Sequence, residues 1–202
     1  MVKNNFMCHD RLRKNQLIIF LFVASFFSGC SVVPVDQEIK YSEVNNQHLS
    51  DLEQWQLLGR IAMSNEVDSW SANIDWRHEP DKEVLNLSGP LGQGAAKIVL
   101  RSDSIMIDQG KGQVGFSKNI DEYIKQQLGF LVPLSALRFW VIGLTEPDKP
   151  FVRFDEGFSQ FSWNIQYHNY IQVGNEWMPR KIKIKNNSAQ LKLVIDQWVL
   201  ND

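Results

Sequence analysis

Residues 69–76 read S-W-S-A-N-I-D-W. Trp70, Ala72, Ile74 and Trp76 alternate with Ser69, Ser71, Asn73 and Asp75, a period of two that puts the apolar groups on one face of a strand and the polar groups on the other. The same alternation recurs outward from this stretch, in Leu85 and Leu87, in Ala96, Ile98 and Leu100, and in Phe161, Trp163, Ile165 and Tyr167. Towards the end, Ile182 and Ile184 alternate with Lys181, Lys183 and Lys185, and after N-N-S at 186–188 the pattern resumes in Leu191, Leu193 and Ile195. Two alternating runs around a turn of that chemistry predict a hairpin. Strands that are wet on one face and apolar on the other, joined by short connections, predict an antiparallel sheet that must cover its apolar face.

The middle of the chain is the expected cover. Asn119 can cap a helix with Glu122 at its third position; Ile120, Ile124 and Leu128 then share a face and Gly129 can end it. A second helix is expected from Pro133, with Leu134, Leu137, Val141 and Leu144 along one side and Trp140 beside them. Upstream, H-L-S-D-L-E-Q-W at 48–55 spaces Leu49, Leu52 and Trp55 by three, which predicts a short helix leading into the first strand. The fold class is therefore α+β, a curved antiparallel sheet with a helical plug.

Ahead of this domain, Lys3, Arg11, Arg13 and Lys14 precede the uncharged run L-I-I-F-L-F-V-A-S-F-F at 17–27. The run suits the core of an export signal and falls short of the roughly 18 to 20 residues that span a bilayer. Ser28, Gly29 and Cys30 follow at once and resemble the lipobox of bacterial lipoproteins, in which cleavage leaves the cysteine as a lipidated first residue. The expected organisation is a signal peptide over 1–29, a lipidated tether over 30–46 and a single domain over 47–202. With Cys8 lost in the signal and Cys30 acylated, no disulfide or cysteine metal site is expected. Ser31 stands where an inner-membrane retention signal would most often show aspartate, which by resemblance to other lipoproteins favours the outer membrane.

Four of the 21 basic and one of the 23 acidic residues lie in the first 29, so the remaining 173 residues carry a net charge of −5. An acidic chain without a basic cluster argues against a nucleic-acid partner. His48, His78 and His168 show no metal-ligand spacing, and Asp51 with Glu53, Glu66 with Asp68, and Asp121 with Glu122 fall at expected turns or helix starts, where acidic residues serve capping and solubility. No nucleophile motif or zinc signature occurs, so neither an enzyme nor a metal or cofactor site is expected. S-G-P-L-G-Q-G-A-A-K at 88–97 is glycine-rich, but a phosphate loop must open a helix, whereas A-A-K-I-V-L alternates like a strand. The stretch reads as a connection between strands, with Pro90 fixing a turn and Leu91 at its apex.

An ordered set of segments resembles the LolB family of outer-membrane lipoprotein receptors. It comprises Cys30; L-L-G-R-I-A at 57–62 before a strand ending D-W; G-P-L-G at 89–92; L-G-F-L-V-P-L-S-A-L-R-F-W-V-I-G-L at 128–144; W-N-I-Q-Y at 163–167; M-P-R-K-I-K-I at 178–184; and L-K-L-V-I-D-Q-W at 191–198. The resemblance implies an unclosed antiparallel β-barrel of the LolA/LolB type with a short helical lid over an apolar cavity. Trp70, Ile74, Trp76, Leu134, Leu137, Trp140 and Val141 are the expected lining or lid. It also implies a monomer, attached through Cys30 to the periplasmic face of the outer membrane, that accepts acylated lipoproteins from a LolA-like periplasmic carrier and passes them into outer-membrane lipid. In the family a leucine on a strand connection is needed for that last step, and the matching loop here is Pro90, Leu91 and Gly92, with Gly89 in place of a common asparagine. A different class of function, a structural or assembly lipoprotein that binds another envelope protein through its sheet, fits the same strands. Space between lid and sheet separates the two.

Overall fold

The computed structural model describes residues 39–44, 47–89, 94–110, 114–120, 122–123, 126 and 133–201. Eleven strands form one sheet: β1 (Gln54–Asn65), β2 (Ser69–Glu79), β3 (Lys82–Ser88), β4 (Ala96–Leu100), β5 (Ile105–Asp108), β6 (Val114–Ser117), β7 (Phe151–Phe154), β8 (Gly157–Gln160), β9 (Trp163–Val173), β10 (Glu176–Lys185) and β11 (Ala189–Asn201). Their order is β6-β5-β4-β3-β2-β1-β11-β10-β9-β8-β7, every pairing is antiparallel, and β6 and β7 border the sheet without pairing with each other. The barrel is thus unclosed, as expected. The first and last strands meet in the middle, where β11 pairs with β1 from Asn65↔Ala189 to Gln54↔Asn201. A bulge interrupts that pairing between Leu58 and Gly59. A Cβ on Gly59 would lie 2.3 Å from the Val194 carbonyl oxygen, so only glycine fits there.

Among the described residues one α-helix is complete, α1 (Leu134–Val141), and no helix is long and apolar enough to cross a membrane. Leu134, Ala136, Leu137, Trp140 and Val141 are buried against the apolar face of the sheet. Trp140 Nε1 donates to Gln160 Oε1 at 2.8 Å on β8, and Tyr167 Oη on β9 donates to the Trp140 carbonyl at 2.6 Å. These two bonds anchor the helix to the sheet at both the indole and the backbone.

The strand alternation at 69–76 holds, with Ile74 and Trp76 buried and Asn73 and Arg77 exposed. Several expectations change. The run at 48–55 is a 3-10 turn over Gln47–Asp51, and Trp55 belongs to β1, because Trp55 and Leu57 alternate inward with the strand. Phe161 is the first turn residue between β8 and β9, not part of a strand; Phe161 and Ser162 have φ of 52° and 63°. Two consecutive left-handed residues give the twist that a two-residue hairpin needs, although glycine and asparagine usually supply them. Helix α1 stops at Val141 and excludes Leu144, since Gly143 at φ 89° ends it; Leu144 N–H donates to the Phe139 carbonyl at 2.9 Å and Gly143 N–H to Trp140 at 3.2 Å. That is a glycine C-cap of the Schellman kind. The cap at Asn119 forms as expected, with Glu122 N–H donating to Asn119 Oδ1 at 3.3 Å, while Ile124, Leu128 and Gly129 lie outside the described residues. The expected tether also shortens. Tyr41 is 5% exposed, stacks on Tyr167 at 4.9 Å and donates to the Gly143 carbonyl at 3.3 Å, so the 3-10 turn Tyr41–Glu43 packs with the domain.

Candidate functional site

The β3–β4 connection joins antiparallel neighbours, Leu87 pairing with Ala96, and a strand follows it. Gly94 at φ 66° turns the chain back towards β4, and Lys97 points to the exposed face. A phosphate cradle is ruled out here, because no helix N-terminus follows the glycines. Pro90, Leu91 and Gly92, like Cys30, lie outside the described residues.

Because neighbours alternate in direction, the connections β1–β2, β3–β4, β5–β6, β8–β9 and β10–β11 all lie at one end of the sheet. The connections β2–β3, β4–β5, β7–β8 and β9–β10 lie at the other. The two ends differ in chemistry. The connections at the second end carry Asp81, Asp103, Asp155 and Glu156 with Arg101 and no large apolar side chain, and Lys82, Lys118 and Arg138 stand beside them around one groove. The first carries Leu91 in sequence and, exposed in the structure, Val67 and Phe161.

The expected lining residues divide. Trp76, Leu134, Leu137, Trp140 and Val141 are buried in a packed core with Ile74, and Trp70 is partly buried at its margin. Three open grooves are bordered by described residues. One of about 600 Å³ is lined by Asn73, Asp75, Asn86, Lys97 and Asp108, and Ile74 is the one expected lining residue that borders it. Since those polar residues alternate with the buried Ile74, Trp76, Leu85, Ile98 and Ile107, the groove lies on the polar face. A second, of about 870 Å³, lies between Glu83, Leu100, Arg138 and Ser135 at the start of α1. A third, of about 450 Å³, lies between His48, Leu52 and Glu176. In this structure, then, Leu134, Ala136, Leu137, Trp140 and Val141 of α1 lie directly on the sheet.

Polar groups inside the apolar face are few, and most are paired; Tyr170 Oη is buried without a hydrogen-bond partner. Glu83, 3% exposed, accepts from Trp76 Nε1 at 2.7 Å and from His78 Nδ1 at 2.5 Å, while Trp55 stacks on His78 at 5.2 Å and meets Trp198 at 5.6 Å. His48 pairs with Glu176. Sequence reading left Glu83 out, although it stands in phase with Leu85 and Leu87, and took His78 as solitary. Near α1, Tyr41 and Tyr167 pack on Phe158 and on each other, and Tyr170 packs on Tyr167. Burial pushes the Tyr167 hydroxyl well above its ordinary value, does the same for Tyr170, and raises Tyr41 against the opposing pull of Arg153. All three stay neutral and function as apolar bodies with one polar tip.

A family model described as "Outer membrane lipoprotein LolB" matches residues 53–198. A Chromohalobacter salexigens protein named outer-membrane lipoprotein LolB is 32% identical over 164 residues, covering 78% of this chain and 76% of its own. One of the same name from Pseudomonas paraeruginosa is 31% identical over 198 residues, covering 91% and 95%. Among solved structures, a LolA superfamily protein from Nitrosomonas europaea covers 75% of this chain and 87% of its own at a TM-score of 0.45 and 9% identity.

Proposed function

Because the chain belongs to the LolB family of outer-membrane lipoproteins, we propose that it accepts lipoproteins from a LolA-like periplasmic carrier and places them in the outer membrane. The work is binding and transfer, with no covalent step. The observation that carries this reading is the family match across 146 positions, residues 53–198, which takes in β1 to β10, α1 and β11 as far as Trp198.

Each buried CH₂ of an acyl chain is worth about 0.8 kcal/mol, so a multiply acylated protein cannot leave one apolar site for another through water at a useful rate. The apolar face under α1 is the site for those chains. Since Leu134, Leu137, Trp140 and Val141 now occupy it, acyl chains enter by displacing them, exchanging one apolar contact for another. Transfer needs no nucleotide if each successive site binds more tightly. Leu91, on the β3–β4 connection, is the release element: burying one leucine is worth about 1.5–3 kcal/mol, enough to favour contact with lipid and too little to anchor a protein. The anchor is the lipid on Cys30 at the periplasmic face, since stable attachment takes more than one acyl chain. In this scheme residues 1–29 are removed and the free tether ends before Tyr41.

A transfer assay with lipoprotein-loaded carrier and outer-membrane vesicles tests the reading. Leu91→Glu should accept cargo near the wild-type rate and fail to release it. Insertion at the wild-type rate by that variant removes Leu91 from the mechanism, and failure of the wild-type chain to take cargo from the carrier removes the reading as a whole.

A further inference from the structure

Five large apolar side chains are exposed among the described residues: Val67, Phe116, Phe151, Val152 and Phe161. Four of them gather at the end of the sheet that bears the β3–β4 connection. Val67 is the middle residue of the three-residue β1–β2 turn, Phe161 opens the two-residue β8–β9 turn, and Phe151 and Val152 begin β7 where it pairs with Gln160 and Ser159. Both turns hold their apolar residue out on a stiff support. Asn65 Oδ1 accepts from the backbone N–H groups of Val67 at 2.8 Å and Asp68 at 2.7 Å, and Asn65 N–H donates to the Asp68 carbonyl at 2.9 Å. Val67 is 94% exposed on top of that ring of bonds. Phe161 holds φ 52°, a conformation that costs a bulky residue free energy and that asparagine or glycine would adopt more easily. It leans on Trp140 at 6.4 Å and still leaves 43% of its surface in solvent. Neither turn requires an apolar residue for its own stability.

We infer that Val67 and Phe161 are two membrane contacts, which make this end of the sheet a docking surface for a lipid bilayer. The inference rests on the proposed release role of the β3–β4 connection. Lipid is favoured over a protein partner by the arrangement: single apolar tips on separate hairpins match a flat, deformable surface, whereas a protein interface needs a contiguous core. Glu66 and Asp68 flank Val67 at the same turn, so the contact is shallow and prefers a zwitterionic surface to an anionic one. The opposite end, whose connections carry Asp81, Asp103, Asp155 and Glu156 and no large apolar side chain, faces away from the bilayer.

The test uses the full-length acylated chain in phosphatidylethanolamine vesicles, carrying one environment-sensitive fluorophore on V67C, F161C or D103C. Labels at 67 and 161 should shift to shorter emission wavelengths and be quenched by shallow brominated lipid, and the label at 103 should not. In the transfer assay V67S, at a turn that touches no part of the acyl site, should release cargo about tenfold more slowly while accepting it normally. Labels at 67 and 161 that behave like the label at 103 overturn the inference, as does shielding that appears only when the soluble carrier is added. If those labels are quenched while Leu91→Glu releases normally, the Leu91 reading fails and the docking surface stands. If Leu91→Glu blocks release and the labels stay solvent-exposed, the reverse holds.

Discussion

Glu83 occupies a position that the alternation of β3 would give to an apolar side chain, and it is tolerated because both carboxylate oxygens accept hydrogen bonds from an indole and an imidazole. Removing the carboxylate strands two buried donors, whereas glutamine keeps one acceptor for Trp76. Glu83→Ala should therefore lower unfolding free energy by about 2–4 kcal/mol and Glu83→Gln by roughly half as much, read from urea midpoints. Equal losses for the two variants would show that the bonds contribute little beyond packing. Such a residue is hard to find in a sequence, because the pattern that places Leu85 and Leu87 inside places Glu83 beside them without saying what would satisfy it. Its partners Trp76 and His78 lie on the neighbouring strand, and their approach depends on the register Arg77↔Val84, which the local sequence does not state. Leu91 is the opposite case: the turn chemistry of Gly89, Pro90 and Gly92 proposes its place, and the family resemblance proposes its role.

The elements were legible in proportion to their length. The long strands β1, β2, β9, β10 and β11 carry several turns of the two-residue period, whereas β5, β6, β7 and β8 have four residues each and offer at most two inward positions. I-M-I-D and G-F-S-Q exist as strands because longer neighbours pair with them, so they had no signal of their own. The end of α1 was misjudged for a related reason: Leu144 continues the apolar spacing, but Gly143 breaks the backbone before it. Gly143→Ala must hold alanine at φ 89° or lose the cap, and should cost about 1–2 kcal/mol of stability by thermal or urea unfolding. A fall of less than a few tenths would mean the helix end is held by its packing alone. The tyrosines that support α1 make a pH prediction. Their folded hydroxyls ionise above the ordinary value of 10.0, because burial disfavours the charged form, while the unfolded chain ionises near it. Their contribution is thus complete below about pH 10 and declines as pH rises past it towards the raised folded values. The urea midpoint should drop above that pH, and Tyr167→Phe should show a shallower drop, although it starts lower for want of the bond to Trp140.

At the scale of the whole molecule, the proposed function assigns attachment and binding to separate parts of the chain. Cys30→Ala, exported through a cleavable signal, should yield a protein that stays out of the membrane fraction and still takes cargo from the carrier. Failure of a well-folded sample to accept cargo would tie the acyl anchor to binding as well as to place. The general architecture was readable, since alternating strands with a helical segment between them leave few ways to cover one apolar face. What a linear pattern could not separate was an open space from a filled one, because a lining leucine and a core leucine look the same before folding. The borders of the sheet, β6 and β7, are among its shortest strands, and no ladder of backbone hydrogen bonds joins them. The wall therefore has a seam. A change in the curvature of the sheet can be taken up there without breaking a strand pairing, much as a clasp ring stretches where a welded one would have to tear.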